Sequence, residues 1–209
     1  MKSFLFICCA LLFFWAVLVP GRAFLVVSET PAPADVVVQF IGPDARARHA
    51  TAVNQVEQGL ALLLMVPALY RLSERNSQGG LVQLPSESIR KIFPCNPWND
   101  SMISRVMEDT HKELLLAKCA MDQLQLDSAI LVSSPSHMRR IRLMANRVFD
   151  SKQYRIHCVA ASGTRKADSW WPGRRDLWWM TREYPKILWF LLYAPFVQDR
   201  ETQVGGHPS

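Results

Sequence analysis

Three short apolar runs constrain the possible folds of this chain more than any other feature. Residues 36–41 (VVVQFI), 62–66 (LLLMV) and 129–132 (AILV) do not alternate apolar with polar side chains. A strand with one wet face alternates, so a short run that is apolar at nearly every position, broken here only by Gln39, suits burial on both faces. Strands of that kind lie side by side in parallel, and parallel neighbours need crossovers that also cover the sheet. The chain supplies them.

Residues 45–60 have helix-compatible composition and separate the first two runs. Residues 109–124 make a stronger helix, with Asp109 placed to cap it and Leu114, Ala117, Met121 and Leu124 forming an apolar stripe that Leu115 widens. A further helix over 136–149, a strand over 154–160 and a short strand over 103–106 continue the alternation. The stretch 68–101 reads as an irregular insertion, with a Gly79-Gly80 pair, one short helical candidate at 87–93 and a turn at Asn96, Pro97 and Trp98. A final helical region, 174–193, is rich in Trp and Leu and should be kinked or divided at Pro185. Its apolar end, 187–196, is too short to span a bilayer and is expected to dock on the sheet. The fold class is therefore α/β: a Rossmann-like three-layer fold with a mostly parallel sheet, over residues 35–196.

Ahead of that domain lies an unbroken apolar run, residues 4–19, preceded by Lys2 and closed by Pro20, Gly21 and Arg22. Segment 1–23 is an export or anchoring signal, and residues 24–34 form a linker. A spanning helix wants about 20 apolar residues, so the run suits either a signal-anchor or a signal peptide cleaved at the small-x-small pattern of Gly21 and Ala23. Lys2 places the N-terminus in the cytoplasm by the positive-inside rule. The expectation is a single-pass inner (plasma) membrane protein with its domain in the periplasm or exterior; secretion after cleavage near Ala23 is the alternative. Residues 197–209 read as a polar, disordered tail.

Cys8 and Cys9 fall in the apolar run, and Cys95, Cys119 and Cys158 in the domain. None has metal-site spacing, and no disulfide framework is expected, because Cys119 and Cys158 sit in apolar contexts typical of buried thiols. The net charge of +6 concentrates between Met138 and Lys186, in Arg139, Arg140, Arg142, Arg147, Lys152, Arg155 and others. Such a stretch attracts anionic lipid headgroups or forms a solvated basic face; export makes nucleic acid an unlikely partner.

Open α/β sheets collect ligands at the carboxyl ends of their strands. The residues there are Gly42, Pro43 and Asp44 after the first strand, Asp109 and Thr110 after the short third one, and Ser133, Ser134, Ser136 and His137 after the fourth. His137 and Arg140, at i and i+3, share a face of the helix that follows, beside free backbone N–H groups that favour an anion. His137 is the candidate proton donor or acceptor, and Arg140 the partner of a phosphate or carboxylate. Plainer roles compete: caps for Thr110 and Ser134, a turn for Asp44, and core packing for Trp178 and Trp179. GxSxG and GxxxxGK[ST] are absent, no His/Asp/Glu cluster has metal spacing, and no cofactor is indicated.

With these residues placed, the chain resembles the YdcF-like family, a domain of unknown function shared with the envelope proteins SanA and ElyC. The resemblance runs from about Asp35 to Tyr193. Its most specific part is the strand-end sequence Ser133, Ser134, Pro135, Ser136, His137, Met138, Arg139, Arg140, with Ser136 where the family has Tyr. Arg48, Ala52 and Gly59 match the first helix; Thr110 and Glu113 match the central one, with Lys112 in a usually acidic place. Trp170, Trp171, Glu183 and Lys186 match the end. Two strand ends depart: the Gly-rich turn is Ile41, Gly42, Pro43, Asp44, and the usual Ser-Gly is Pro67 and Ala68.

The resemblance implies a membrane-anchored envelope protein that binds a phosphorylated or nucleotide-like ligand in cell-envelope assembly or barrier maintenance. Its ligand-binding set would be Gly42, Asp44, Arg48, Thr110, Ser133, Ser134, Ser136 and Trp171, with His137 and Arg140 as the reactive pair. Any catalysis would be transfer or hydrolysis at a phosphate-bearing lipid or sugar. The lost glycines leave a second reading open, a non-catalytic scaffold or ligand sensor with a degenerate site.

Overall fold

The computed structural model describes residues 24–42, 44–95, 107–162 and 174–204. The apolar segment 4–19, the short strand at 103–106, the turn at 96–98 and Trp170 and Trp171 lie outside them.

Six strands form one sheet: β1 (Val36–Gln39), β2 (Leu63–Val66), β3 (Arg71–Arg75), β4 (Leu81–Gln83), β5 (Ser128–Ser133) and β6 (Arg155–Ala160). Their order across the sheet is β4-β3-β2-β1-β5-β6. β1 lies at the centre, parallel to β2 on one side and to β5 on the other, with Val37 opposite both Leu64 and Ile130. β6 is parallel to β5, whereas β3 and β4 run antiparallel. The three apolar runs are therefore the three inner parallel strands, and β1 and β5 are buried along their whole length.

Alternate side chains of these strands enter two separate cores, as the pleat requires. Val37, Leu64, Ile130 and Val132 pack against Ala52 and Val56 of helix α1 (Ala45–Glu57). Val36, Val38, Met65, Ala129 and Leu131 meet the other helical layer. That layer contains α2 (Ser86–Ile92), α3 (Asp109–Leu124), α4 (Met138–Val148) and α5 (Arg174–Val204). The apolar stripe of α3 is as expected, with Leu114, Ala117 and Met121 fully buried, yet Asp109 is its first helical residue rather than its cap. Residues 28–29 lie along β6: Glu29 N–H donates to the Cys158 carbonyl (2.8 Å), and Ala160 N–H donates to the Ser28 hydroxyl (3.2 Å). The segment expected to be a linker is thus joined to the domain.

Three expectations are corrected. The described part of the insertion expected at 68–101, residues 68–95, is not irregular: Pro67 starts a 3-10 turn, Tyr70 takes a left-handed conformation, and β3 and β4 extend the sheet as an antiparallel hairpin. The Gly79-Gly80 pair is its turn, where the Asn76 side chain accepts the Gly80 N–H at 2.7 Å and Gly79 has φ +86°. β3 is mostly polar and β4 is only three residues long, and both are largely exposed, so neither has the long apolar run used to find the others. Cys119 is not a lone thiol but bridges to Cys95, joining α3 to the chain after α2. And α5 is neither divided at Pro185 nor followed by a disordered tail from residue 197; it continues through Pro185 and Pro195 to Val204.

A proline within a helix removes one hydrogen bond and crowds the preceding turn. Tertiary burial offsets that cost here: Ile187, Phe190, Tyr193, Ala194 and Val197 form one continuous buried stripe. Arg147 also holds the helix, donating from Nη2 to the Ala194 carbonyl at 2.8 Å. No described helix is long and apolar enough to cross a membrane.

The disulfide closes a loop with a sequence separation of 24. Replacing both cysteines with serine should lower the unfolding free energy by about 3 kcal/mol. Denaturant titration of the double variant beside the oxidised and reduced parent measures this, and the variant should match the reduced parent.

Candidate functional site

β1 and β5 are neighbours, but the chain leaves them toward opposite faces, β1 into α1 and β5 into α4. This reversal opens a crevice at their carboxyl ends. A cavity of about 650 Å³ occupies it. The β1 end contributes Phe40, Ile41 and Gly42 to its wall; α1 contributes Arg48; the start of α3 contributes Thr110, Lys112 and Glu113. Ser133, His137 and Arg140 come from β5 and the start of α4, and Pro185, Lys186 and Trp189 from α5.

Arg48 fills the turn after β1. Its Nη1 donates to the carbonyls of Phe40 (3.2 Å) and Ile41 (2.5 Å), and its Nε donates to the Ser134 hydroxyl (2.9 Å). Ser134 in turn donates to Asp44 at 3.3 Å, with Asp44 in a left-handed conformation at φ 62°. Glycine is required at 42 for two reasons. Its φ is +140°, and a Cβ there would lie 2.9 Å from Arg48 Nη1. Burial brings the Arg48 pKa down to about 10, against the raising influence of Asp44 and Glu113, so it remains a cation at neutral pH. In place of a cradle of backbone N–H groups, this turn therefore presents a buried guanidinium held by carbonyls.

The second constellation centres on Glu183, which is fully buried in α5. Its Oε1 lies 2.9 Å from His137 Nδ1, and its Oε2 accepts from Arg140 Nε at 2.8 Å. Lys186 Nζ stands 3.6 Å from Oε1. Arg140 Nη1 donates to Glu108 at 2.7 Å and to the Thr110 hydroxyl at 2.8 Å. Burial by itself would raise the Glu183 pKa, but the hydrogen bond from His137 and the charge of Arg140 hold it at about 2. Burial likewise lowers the His137 pKa, more than Glu183 restores it. Nδ1 of the neutral imidazole lies within reach of both Glu183 Oε1 and Arg140 Nη2 (3.3 Å), so the ring's tautomer decides whether it donates to the carboxylate or accepts from the guanidinium.

Glu113 completes the wall. Only 4 % exposed, it accepts the Ile41 N–H at 3.3 Å. Burial raises its pKa to about 7 despite that bond and nearby Arg48. A carboxyl poised near neutrality beside two arginines can give or take a proton.

Of the residues expected from sequence, Gly42, Arg48, Thr110, Ser133, His137 and Arg140 line the cavity. Ser134 and Asp44 sit behind it, bound to Arg48 and to each other. Ser136 is half-buried in the 3-10 turn Pro135–His137 and is not part of the wall, and Trp171 lies outside the described residues. Thr110 and Ser134 make no side-chain cap at their helix starts, contrary to the plainer expectation. Glu108, Lys112 and Glu113 were missed as site residues. Glu183 and Lys186 entered the sequence reading only as matches to the end of the family pattern; the structure places Glu183 in the buried cluster and Lys186 in the cavity wall. The basic interval is also partly internal: Arg140 is buried, Arg142 pairs with Glu29 at 2.6 Å, and Arg147 binds α5. Among the described residues no group of His, Cys, Asp or Glu has the arrangement to hold a metal.

Comparison with protein-family models, curated proteins and solved structures returns no match.

Three consequences can be measured. The Glu183 contribution to stability is complete above the ordinary carboxyl value of 4.5 and is lost as pH falls from there toward about 2. Glu113 acts in the opposite sense, destabilising progressively as pH rises from 4.5 through about 7. Glu113→Gln should therefore gain on the order of 2 kcal/mol at pH 8 relative to pH 5, read from paired denaturant titrations. Gly42→Ala should cost about 1–3 kcal/mol from the conformation alone and displace the Arg48 guanidinium, which a melting curve checks.

Proposed function

We propose that this chain is a membrane-anchored envelope protein whose α/β domain binds a phosphate-bearing or nucleotide-like ligand at the β1/β5 crevice, in cell-envelope assembly or barrier maintenance. The observation that carries the binding part is the convergence of Arg48, Lys112, His137, Arg140 and Lys186 on one cavity at the switch point of the sheet. The envelope part rests on the apolar segment 4–19 and on the resemblance to the YdcF-like family, and the Cys95–Cys119 bridge suits an oxidising compartment.

In the catalytic form of this proposal, the domain transfers or hydrolyses a phosphoryl-linked group on a lipid or sugar. His137, oriented by Glu183 through Nδ1, takes or returns a proton through Nε2, as a carboxylate-held imidazole is suited to do. Arg48 and Arg140 offset charge that develops on the phosphate, Thr110 and Ser133 position it, and Trp171 is the candidate for the mouth. A second reading, a scaffold or sensor without chemistry, is favoured by one specific feature. The Arg140 guanidinium is already engaged by Glu183, Glu108 and Thr110, as expected of an internal brace.

A thermal-shift panel of nucleotides, phosphosugars and isoprenoid phosphates against the full chain in detergent tests the binding. A ligand at 100 times its Kd should stabilise by roughly 2.7 kcal/mol. Silence across the panel would overturn the ligand reading. Once a ligand is found, His137→Gln should keep most of the binding and lose turnover by about 100-fold or more if the imidazole moves the proton; binding without turnover in the parent selects the sensor.

A further inference from the structure

Helix α5 is apolar on both sides, and only one side is covered. The stripe Ile187, Phe190, Tyr193, Ala194 and Val197 is buried in the domain. On the opposite side Trp178, Leu188, Trp189, Leu191, Leu192 and Phe196 are exposed, Phe196 by 88 % and Leu188 by 59 %. At 3.6 residues per turn Trp178, Trp189, Leu192 and Phe196 fall on one line along the helix, with Leu188 and Leu191 beside it. Scattered exposed apolar residues are ordinary; a contiguous run along one helix marks a surface that meets something.

The other end of the chain arrives at the same place. Phe24 stacks on Tyr184 at 6.2 Å between ring centres, and Leu25 is buried against Ile187. Arg139 donates to the Phe24 carbonyl at 2.6 Å and stands over its ring at 4.4 Å. The apolar run ends at Val19. Five residues of extended chain reach at most about 17 Å, so a run held in a bilayer keeps this helix close to the lipid surface.

The charges agree with that occupant. From Trp178 to Val197 the helix has a single acid, Glu183, which is buried and paired, while Arg182 and Lys186 flank the apolar face. Arg182 stands over Trp178 at 4.4 Å. Tryptophan, tyrosine and cationic side chains along an apolar helix face are the composition of an element that lies in a bilayer interface.

We propose that the outer face of α5 docks on the membrane that holds segment 4–19, lying in the headgroup region. This rests on the anchored reading above and deepens it. Pro185, Lys186 and Trp189 also belong to the cavity wall, so a docked α5 places the phosphate crevice beside the headgroups and favours a phosphate borne on a lipid as its ligand.

The full chain is reconstituted in vesicles of phosphatidylethanolamine and phosphatidylglycerol, with the photoreactive residue p-benzoylphenylalanine in place of Leu188, of Leu192 or, as a control, of the exposed Asn54 of α1. Flotation and the mass of the photoadducts are read together. Lipid adducts at 188 and 192, several-fold above those at 54, are expected. Vesicle-bound chain without lipid adducts at 188 and 192 overturns the docking and leaves the anchor standing. Adducts to a second chain, or to residues 4–19 of the same chain, overturn it by naming another occupant. Chain that does not float with the vesicles overturns both readings.

Discussion

A carboxylate without access to water must be paired, and the domain is arranged around one such group. Glu183 on α5 engages His137 and Arg140 at the start of α4, and Arg140 passes the connection to Glu108 and Thr110 at the start of α3. Three helices of one layer are thereby fixed relative to the carboxyl ends of the strands. Removing one partner from a cluster of this kind leaves an uncompensated buried charge, at a cost of roughly 3–5 kcal/mol. The long terminal helix, with two prolines in its interior, gains from this cluster a polar lock that its apolar stripe cannot supply.

The crevice has two electrostatic regimes that meet across its width. On the α1 side a buried arginine is held by carbonyls, with Glu113 near its titration point. On the α4 side the carboxylate is held strongly ionised and the imidazole neutral. Environments that drive like groups apart in pKa assign one to proton exchange and the other to orientation. In the catalytic form of the proposal, Glu113 and His137 take the first task and Glu183 the second.

The parallel core was legible because double burial leaves a mark in composition: β1, β2 and β5 are the apolar runs themselves. The helices around them followed from spacing, and the pairing of His137 with Arg140 from their positions at i and i+3. What escaped has physical causes. The β3–β4 hairpin is stabilised by an Asn76 side-chain turn and by a neighbouring strand, neither of which produces an apolar pattern. The Cys95–Cys119 bridge depends on how α2 approaches α3, a tertiary fact. Glu108, Lys112 and Glu113 look like ordinary solvent-facing residues of a helix start until the crevice closes over them. The continuation of α5 through Pro185 is a case of tertiary burial overriding a local preference.

Residues 28–29, which hydrogen-bond to β6, occupy one of the two borders of the sheet. A bare strand with free N–H and C=O groups is a template for any extended chain that meets it, including another copy of the protein. The opposite border, β4, is only three residues long and gives little purchase. The short segment between the apolar run and the domain is therefore also a guard against intermolecular pairing. A fragment trimmed back to residue 31 to improve solubility would lose that guard, and its gain in polarity would come with a newly adhesive flank.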